Sequence, residues 1–241
     1  MNINDLEEKI RQSESMSLSA AFPILMRKVY LWMAMALAIS GLTAYSVAAS
    51  PGLVQLIYSN SLVMWGYIIA ELVMVWKISN SVAKENRSLA TTTLMFIIFS
   101  ALNGVTLSSI FVLFAPAAIV KTFVITASTF GVMAAYGYFT SRDLTKIGGL
   151  LFMALIGVII ASVVNMFLHS SGLDLVVSII GVLVFVGLTA WDSQQIKMSL
   201  AMAPDLGETS QKLALTGALS LYLDFVNLFL YLLRFFGGSR D

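Results

Sequence analysis

The stretch LYLDFVNLFLYLLRFFG, Leu221 to Gly237, sets one acid, Asp224, into an otherwise apolar run. A charge near the centre of a bilayer costs about 2.5–3.5 kcal/mol on insertion scales, so such a group needs a partner, a proton or water. Two further acids, Glu71 and Asp192, stand within or at the edge of apolar runs. At helical spacing Gly217, Ser220, Asp224, Asn227 and Tyr231 share one face, and Ser178, Gly181, Phe185, Thr189, Asp192 and Gln195 share another. If those faces meet, two carboxylates a few ångströms apart cannot both ionise cheaply, and a shared proton holds them together. Exchange of that proton for a cation is the chemistry this pattern offers, since hard ions such as calcium prefer carboxylates, carbonyls and water. Asp192 and Asp224 are therefore the expected ion-binding and gating residues and the expected metal ligands, with Glu71, Ser220 and Asn227 along the route.

Each residue also has a plainer reading. Asp192 can be a solvated helix-end residue beside Gln195 and Lys197. Asp224 can be a structural hydrogen bond to a neighbouring helix, and Glu71, six residues before Lys77, can snorkel or pair. Asn103 and Asn165 read as interhelical glue. The single His169, beside SSG at the end of an apolar run, reads as a loop-surface residue and makes no metal site by itself.

The elements that must position these groups follow from composition. Of 241 residues, 59% are hydrophobic and 11% charged, and the mean hydropathy of +0.89 lies outside the balance of a soluble domain. The chain reads as an all-α polytopic membrane protein. A net charge of +1 without a long block of like charge argues against a nucleic-acid surface or a polybasic lipid anchor. The absence of cysteine excludes disulfides, thiolate catalysis, iron–sulfur clusters and Cys-ligated zinc. No cofactor is expected.

A spanning helix needs roughly 17–25 mostly apolar residues. Seven segments qualify, near Val29–Ala49, Leu62–Ile78, Leu89–Phe114, Ala117–Thr140, Ile147–Leu168, Leu173–Trp191 and Leu213–Phe236. They are too long for barrel strands and lack apolar/polar alternation. Residues 1–25 form a polar tail mixing Asp5, Glu7, Glu8 and Glu14 with Lys9 and Arg11, and residues 26–238 form the membrane domain. The apolar run after the tail exceeds the length of a signal-peptide core and reads as a retained helix. The last two spans are antiparallel neighbours across a loop of about twenty residues, counted between those apolar runs. A rise of 1.5 Å per residue puts Asp192 near the end of its span and Asp224 closer to mid-membrane.

Orientation follows the bases. A cytoplasmic N-terminus gathers eleven of fourteen on that side (Lys9, Arg11, Arg27, Lys28, Lys77, Lys84, Arg87, Arg142, Lys146, Lys197 and Lys212) and leaves Lys121, Arg234 and Arg240 outside with the C-terminus. Small residues recur every fourth position at Gly157, Ala161 and Asn165 and at Gly131 and Ala135, ridges on which helices are expected to pack closely.

These residues carry a resemblance. GLTAWDSQQIK, Gly187 to Lys197, followed by GALSLYLDFVNLFLYLLRFFG, Gly217 to Gly237, resembles the signature of the Bax inhibitor family of membrane proteins. GVTLSSIFVLF (Gly104 to Phe114), GYFTSRDLTKIGGLLFMALIG (Gly137 to Gly157) and the ALAISGLTAY region are similar to its bacterial inner-membrane branch, over about Pro23 to Gly238. The resemblance implies a seven-helix bundle with the C-terminal helix at its centre. It also implies a pH-sensitive calcium leak regulated by aspartates of the sixth and seventh helices, matched by Asp192 and Asp224, with an acid of the second helix, matched by Glu71, on the pathway. Some members latch those aspartates with an arginine near the cytoplasmic end of the second helix. The matching place here is near Val82, so the arginine is absent, and Lys77 or Lys84 would stand in without its planar fork.

The expected function is thus a proton-regulated cation leak, with calcium as the transported ion and the lipid bilayer, calcium and protons as its partners. Two other classes compete. An intramembrane aspartyl hydrolase would also use two acids sharing a proton, but TAWDS and YLDF lack the GxGD context of such enzymes, so no enzyme is expected. A regulator of a membrane protease or other membrane complex would act through the tail, Met1 to Leu25.

Overall fold

The computed structural model of the chain describes residues 3–84, 87–203 and 205–236. Eight helices follow one another: α1 (Ile3–Ala48), α2 (Pro51–Tyr58), α3 (Ser61–Ser79), α4 (Leu89–Leu113), α5 (Pro116–Phe139), α6 (Thr145–Leu168), α7 (Ser171–Ala201) and α8 (Glu208–Phe236). All except α2 are long and apolar enough to cross a membrane, which makes seven spans. The second span is α3, and the sixth and seventh are α7 and α8.

Local chemistry sets the ends. Asn60, Ser88 and Ser170 accept backbone N–H bonds from Leu62, Thr91 and Leu173 and so start α3, α4 and α7. Pro51 and Pro116 occupy first helical positions, where a missing N–H costs nothing. Only Phe114 and Ala115 separate α4 from α5, the short connection expected around Pro116. Helix α6 stops at His169, which takes a left-handed conformation at φ 49° and is exposed.

The C-terminal helix is the core. In its span 61% of residues are buried, against 6% in α3 and 11% in α6. Helices α1, α7, α5, α4 and α3 pack around α8, whereas α6 packs chiefly on α7. Close approach depends on a few glycines: a side chain on Gly137 would strike the backbone of Ala190, and one on Gly104 the Ser40 carbonyl, joining α5 to α7 and α4 to α1.

Three boundaries differ from the pattern of apolar runs. Helix α1 continues without a break from the polar tail through Pro23 into the membrane segment. The helical turn of α2 lies between the first two spans, where the sequence marks no element. The link between α7 and α8 is residues 202–207, not about twenty residues, because both helices run past their apolar stretches. Ile196, Leu200, Ala214 and Leu215 bury there against one another's helices, so packing rather than hydropathy carries the helices to the ends.

The small-residue ridges also differ. At Gly131 and Gly157 an added Cβ would meet nothing within 4 Å, so no helix among the described residues packs closely on either. Asn165 accepts the Ser170 backbone N–H at 3.0 Å and shapes the α6–α7 turn instead of bridging helices.

Candidate functional site

Asp192 of α7 and Asp224 of α8 line one cavity at the seam between the two helices. Asp192 stands nine residues before the end of α7 and Asp224 sixteen after the start of α8. Counted from the connection they are offset by seven residues, roughly 10 Å along the axes. Side chains on a helix lean toward its N-terminus, and these helices are antiparallel. Asp192 therefore leans toward Asp224 and Asp224 toward Asp192, which narrows the offset left open by counting residues.

The pair lines a cavity of about 350 Å³ with Ser220, Asn227, Trp191 and Tyr231, walled by Phe152, Leu155 and Ile159 of α6. Asp224 is 4% exposed, and its Oδ2 has no hydrogen-bond partner besides what the cavity can hold. Asn227 donates its amide N–H to the Leu223 carbonyl at 2.8 Å, which leaves its Oδ1 as an acceptor. Two of the three expected route residues, Ser220 and Asn227, are thus at the pair. Asp192 and Ser220 also border a second, smaller cavity of about 150 Å³ that reaches Gln195, Ser199 and Thr216, whose hydroxyl is buried without a partner. No basic side chain among the described residues lines either cavity. Two acids with no base to neutralise them leave a proton or a cation to do it.

At its other end the larger cavity is bounded by Tyr231. Its ring lies against Gly181, where a Cβ would come within 2.7 Å of the ring, and stacks on Phe185 at 5.8 Å between centroids. The Arg234 guanidinium sits 5.7 Å from the same ring and pairs with Asp174 at 3.7 Å. Beyond Tyr231 an open polar basin of about 510 Å³ gathers Asp174, Arg234, His169 and Asn165. Asp174 does not stand out in the sequence as a site residue, and Tyr231 is marked there only by sharing the helical face of Asp224 and Asn227.

Glu71 is not brought to the aspartates. It lies on α3 and accepts hydrogen bonds from Thr106 Oγ1 at 2.6 Å and Asn103 Nδ2 at 3.2 Å, both on α4. Asn103 in turn accepts from the Tyr222 hydroxyl at 2.7 Å, and that hydroxyl lies 2.7 Å from Ser40 Oγ on α1. Four helices are tied by this chain of bonds, so Asn103 is the interhelical glue its position suggests. Tyr222 is fully buried and stands two residues from Asp224, which puts it on the opposite face of α8. Neither lysine takes the place of a latch: Lys77 is exposed, and Lys84 lies over the Trp76 ring, 5.6 Å from its centroid. Another base behaves unexpectedly. Lys212 is 3% exposed and pairs with Glu208 at 3.5 Å, close to the start of α4, where Glu208 accepts the Leu89 N–H.

A family model described as Inhibitor of apoptosis-promoting Bax1 matches residues 23–241. The chain belongs to the Bax inhibitor family. Within that family it is 46% identical over 217 residues to the inner membrane protein YbhL of Escherichia coli K12, an alignment covering 89% of this chain and 92% of that protein. It is also 46% identical over 214 residues to an uncharacterised protein of Borreliella burgdorferi, at 89% and 91% coverage. An uncharacterised protein of Rickettsia prowazekii is 41% identical over 216 residues, with 90% of both chains covered. With its seven spans, this member of the Bax inhibitor family is a multi-pass inner-membrane protein.

Proposed function

We propose that this Bax inhibitor family protein is a proton-regulated cation leak, with calcium as the transported ion and Asp192 and Asp224 as the ion-binding gate. The observation that carries the reading is an acid pair, Asp224 buried and Asp192 half-buried, lining a cavity with no basic side chain among the described residues. With one proton between them the two carboxyls form a hydrogen-bonded unit of single negative charge. Once that proton leaves, two carboxylates, the Asn227 carbonyl oxygen and the Ser220 hydroxyl offer a hard-oxygen set whose double charge a divalent cation matches. Proton and cation therefore compete for one place. Tyr231 bounds the cavity on the side away from the α7–α8 connection, and transport requires that ring to yield. The distribution of bases supports a cytoplasmic N-terminus and an external C-terminus, so the smaller cavity would face the cytoplasm. The chain is proposed to act by transport, not by catalysis.

Purified protein in liposomes, assayed for calcium flux across a pH series, tests this directly. Wild type should show a pH-dependent flux, and Asp224→Asn, which cannot exchange the shared proton, should show none of that dependence. A flux identical to wild type at every pH would remove the pair from the mechanism.

A further inference from the structure

Helices α1 and α5 both pack on the central α8 yet barely touch each other. Phe22 and Tyr138 stack at 6.3 Å near one end of the seam between them. Below that pair lies a groove of about 540 Å³, edged by Arg27, Tyr30 and Met33 of α1 and by Gly131 and Ala135 of α5, with Phe130 as its floor. Farther along the same seam an almost wholly apolar cavity of about 110 Å³ lies beside Leu37, Gly41 and Phe123. Pro23 to Gly41 is about 27 Å of helix, close to the thickness of a hydrocarbon core. At both Gly41 and Gly131 an added Cβ would find no neighbouring side chain or helix within 4 Å.

Two largely apolar hollows in line along one seam inside a bilayer have an obvious filler in an acyl chain, because leaving their walls bare forfeits their dispersion contacts. The mouth carries a charge that selects among lipids. Arg27 lies six residues into the apolar segment Ala21–Ala48, is exposed, and makes no ion pair among the described residues. Its planar fork matches a phosphodiester in two parallel hydrogen bonds. The same end of the bundle holds Lys28, Arg142 and Lys146, and basic pockets between spanning helices bind anionic headgroups. Lys28 itself is engaged with Gln211 at 2.9 Å, which leaves Arg27 to the lipid.

We propose that the α1–α5 seam is a binding site for one anionic glycerophospholipid, its phosphate on Arg27 and an acyl chain lying past Gly131 toward Gly41. The Gly131 and Ala135 ridge then has a partner after all, a lipid in place of a helix. Because α1 and α5 both hold α8, the bound lipid acts as a wedge that fixes the walls of the bundle. The site stands apart from the aspartate cavity and does not depend on what that cavity transports.

The test is native mass spectrometry of the full chain released from nanodiscs holding equal amounts of phosphatidylglycerol and phosphatidylcholine. Wild type should retain a lipid with phosphatidylglycerol favoured about fivefold, the effect of roughly one basic residue at an anionic headgroup. Arg27→Gln should keep the lipid and bring the ratio near one. Gly131→Leu and Gly41→Leu, whose Cβ enters open space and which improve helix propensity, should fold and lower retention of both lipid classes. Equal retention of the two lipids by wild type, a preference that survives Arg27→Gln, or retention untouched by both glycine variants would each overturn the proposal. So would a dimer that Gly131→Leu dissociates, since the seam would then belong to a second copy.

Discussion

The two faces of α8 bury oxygen chemistry of the same kind and treat it in opposite ways. On the face toward α1, α3 and α4, Tyr222 joins Ser40, Asn103, Thr106 and Glu71 in bonds of 2.6–3.2 Å. On the face toward α7, Asp224 keeps an oxygen unpartnered beside Asp192 and a cavity. A satisfied network rigidifies, whereas an unsatisfied buried acid stores a demand for a proton or an ion. On the function we propose, one face holds and the other exchanges, although both contain an intramembrane acid.

Substitutions can break that division. The largest effect expected is at Asp224→Asn, and next to it Asp192→Asn, each of which should flatten the pH response of calcium flux in liposomes while leaving thermal stability in detergent close to wild type. Asn103→Leu should do the reverse. It removes one hydrogen bond from Glu71, which keeps Thr106, and one from the Tyr222 hydroxyl, which keeps Ser40, and should cost about 2 kcal/mol, read as a lowered thermal midpoint. If Asn103→Leu erased the pH response with no loss of stability, the Glu71 face would belong to the exchanging machinery and the comparison would collapse.

Tyr231→Ala sharpens the boundary of the exchanging face. Removing the ring joins the aspartate cavity to the basin around Asp174 and Arg234, so flux should rise severalfold with its pH dependence retained. An unchanged flux would place the closure elsewhere. The smallest effect belongs to a residue outside both faces. Asp143, fully exposed before α6, is held below the usual carboxylate range by hydrogen bonds from the Thr145 hydroxyl and backbone N–H, with Lys146 adding attraction. Its folded value being lower than its unfolded one, this cap contributes above the ordinary aspartate range and is lost as pH falls through the depressed value. Amide-exchange protection at the first turn of α6, corrected for the intrinsic pH dependence of exchange, should therefore fall on acidification, and Asp143→Ala should remove that dependence without touching flux.

Much of this was legible from residues alone, and the exceptions have physical causes. Hydropathy marks the spans because a bilayer demands about twenty apolar residues whatever the neighbours do. It misses the ends of α7 and α8, where polar residues continue as helix because one side of each still packs on the other. Helical periodicity puts Ser220, Asp224 and Asn227 together, and it puts Asp192 with Gln195, since that depends on nothing beyond 3.6 residues per turn. Glu71 shows the limit. An acid in an apolar run announces that it has a partner and not which one, and the partners turned out to be Thr106 and Asn103.

The amino-acid sequence by itself determined that this chain crosses a membrane seven times, that its last two spans run antiparallel, and that each presents an acid on a polar face. Those properties come from transfer energies and helical geometry, which act along one segment at a time. The tertiary structure bore out the central place of α8 that the family resemblance implied, and it alone decided that Glu71 belongs to the opposite side from the aspartates and that the Gly131 ridge borders an open seam. Each of those depends on which helix lies beside which, and within a bilayer, where neighbouring lipid is as apolar as neighbouring protein, that choice rests on shape and hydrogen bonds between segments distant in the chain.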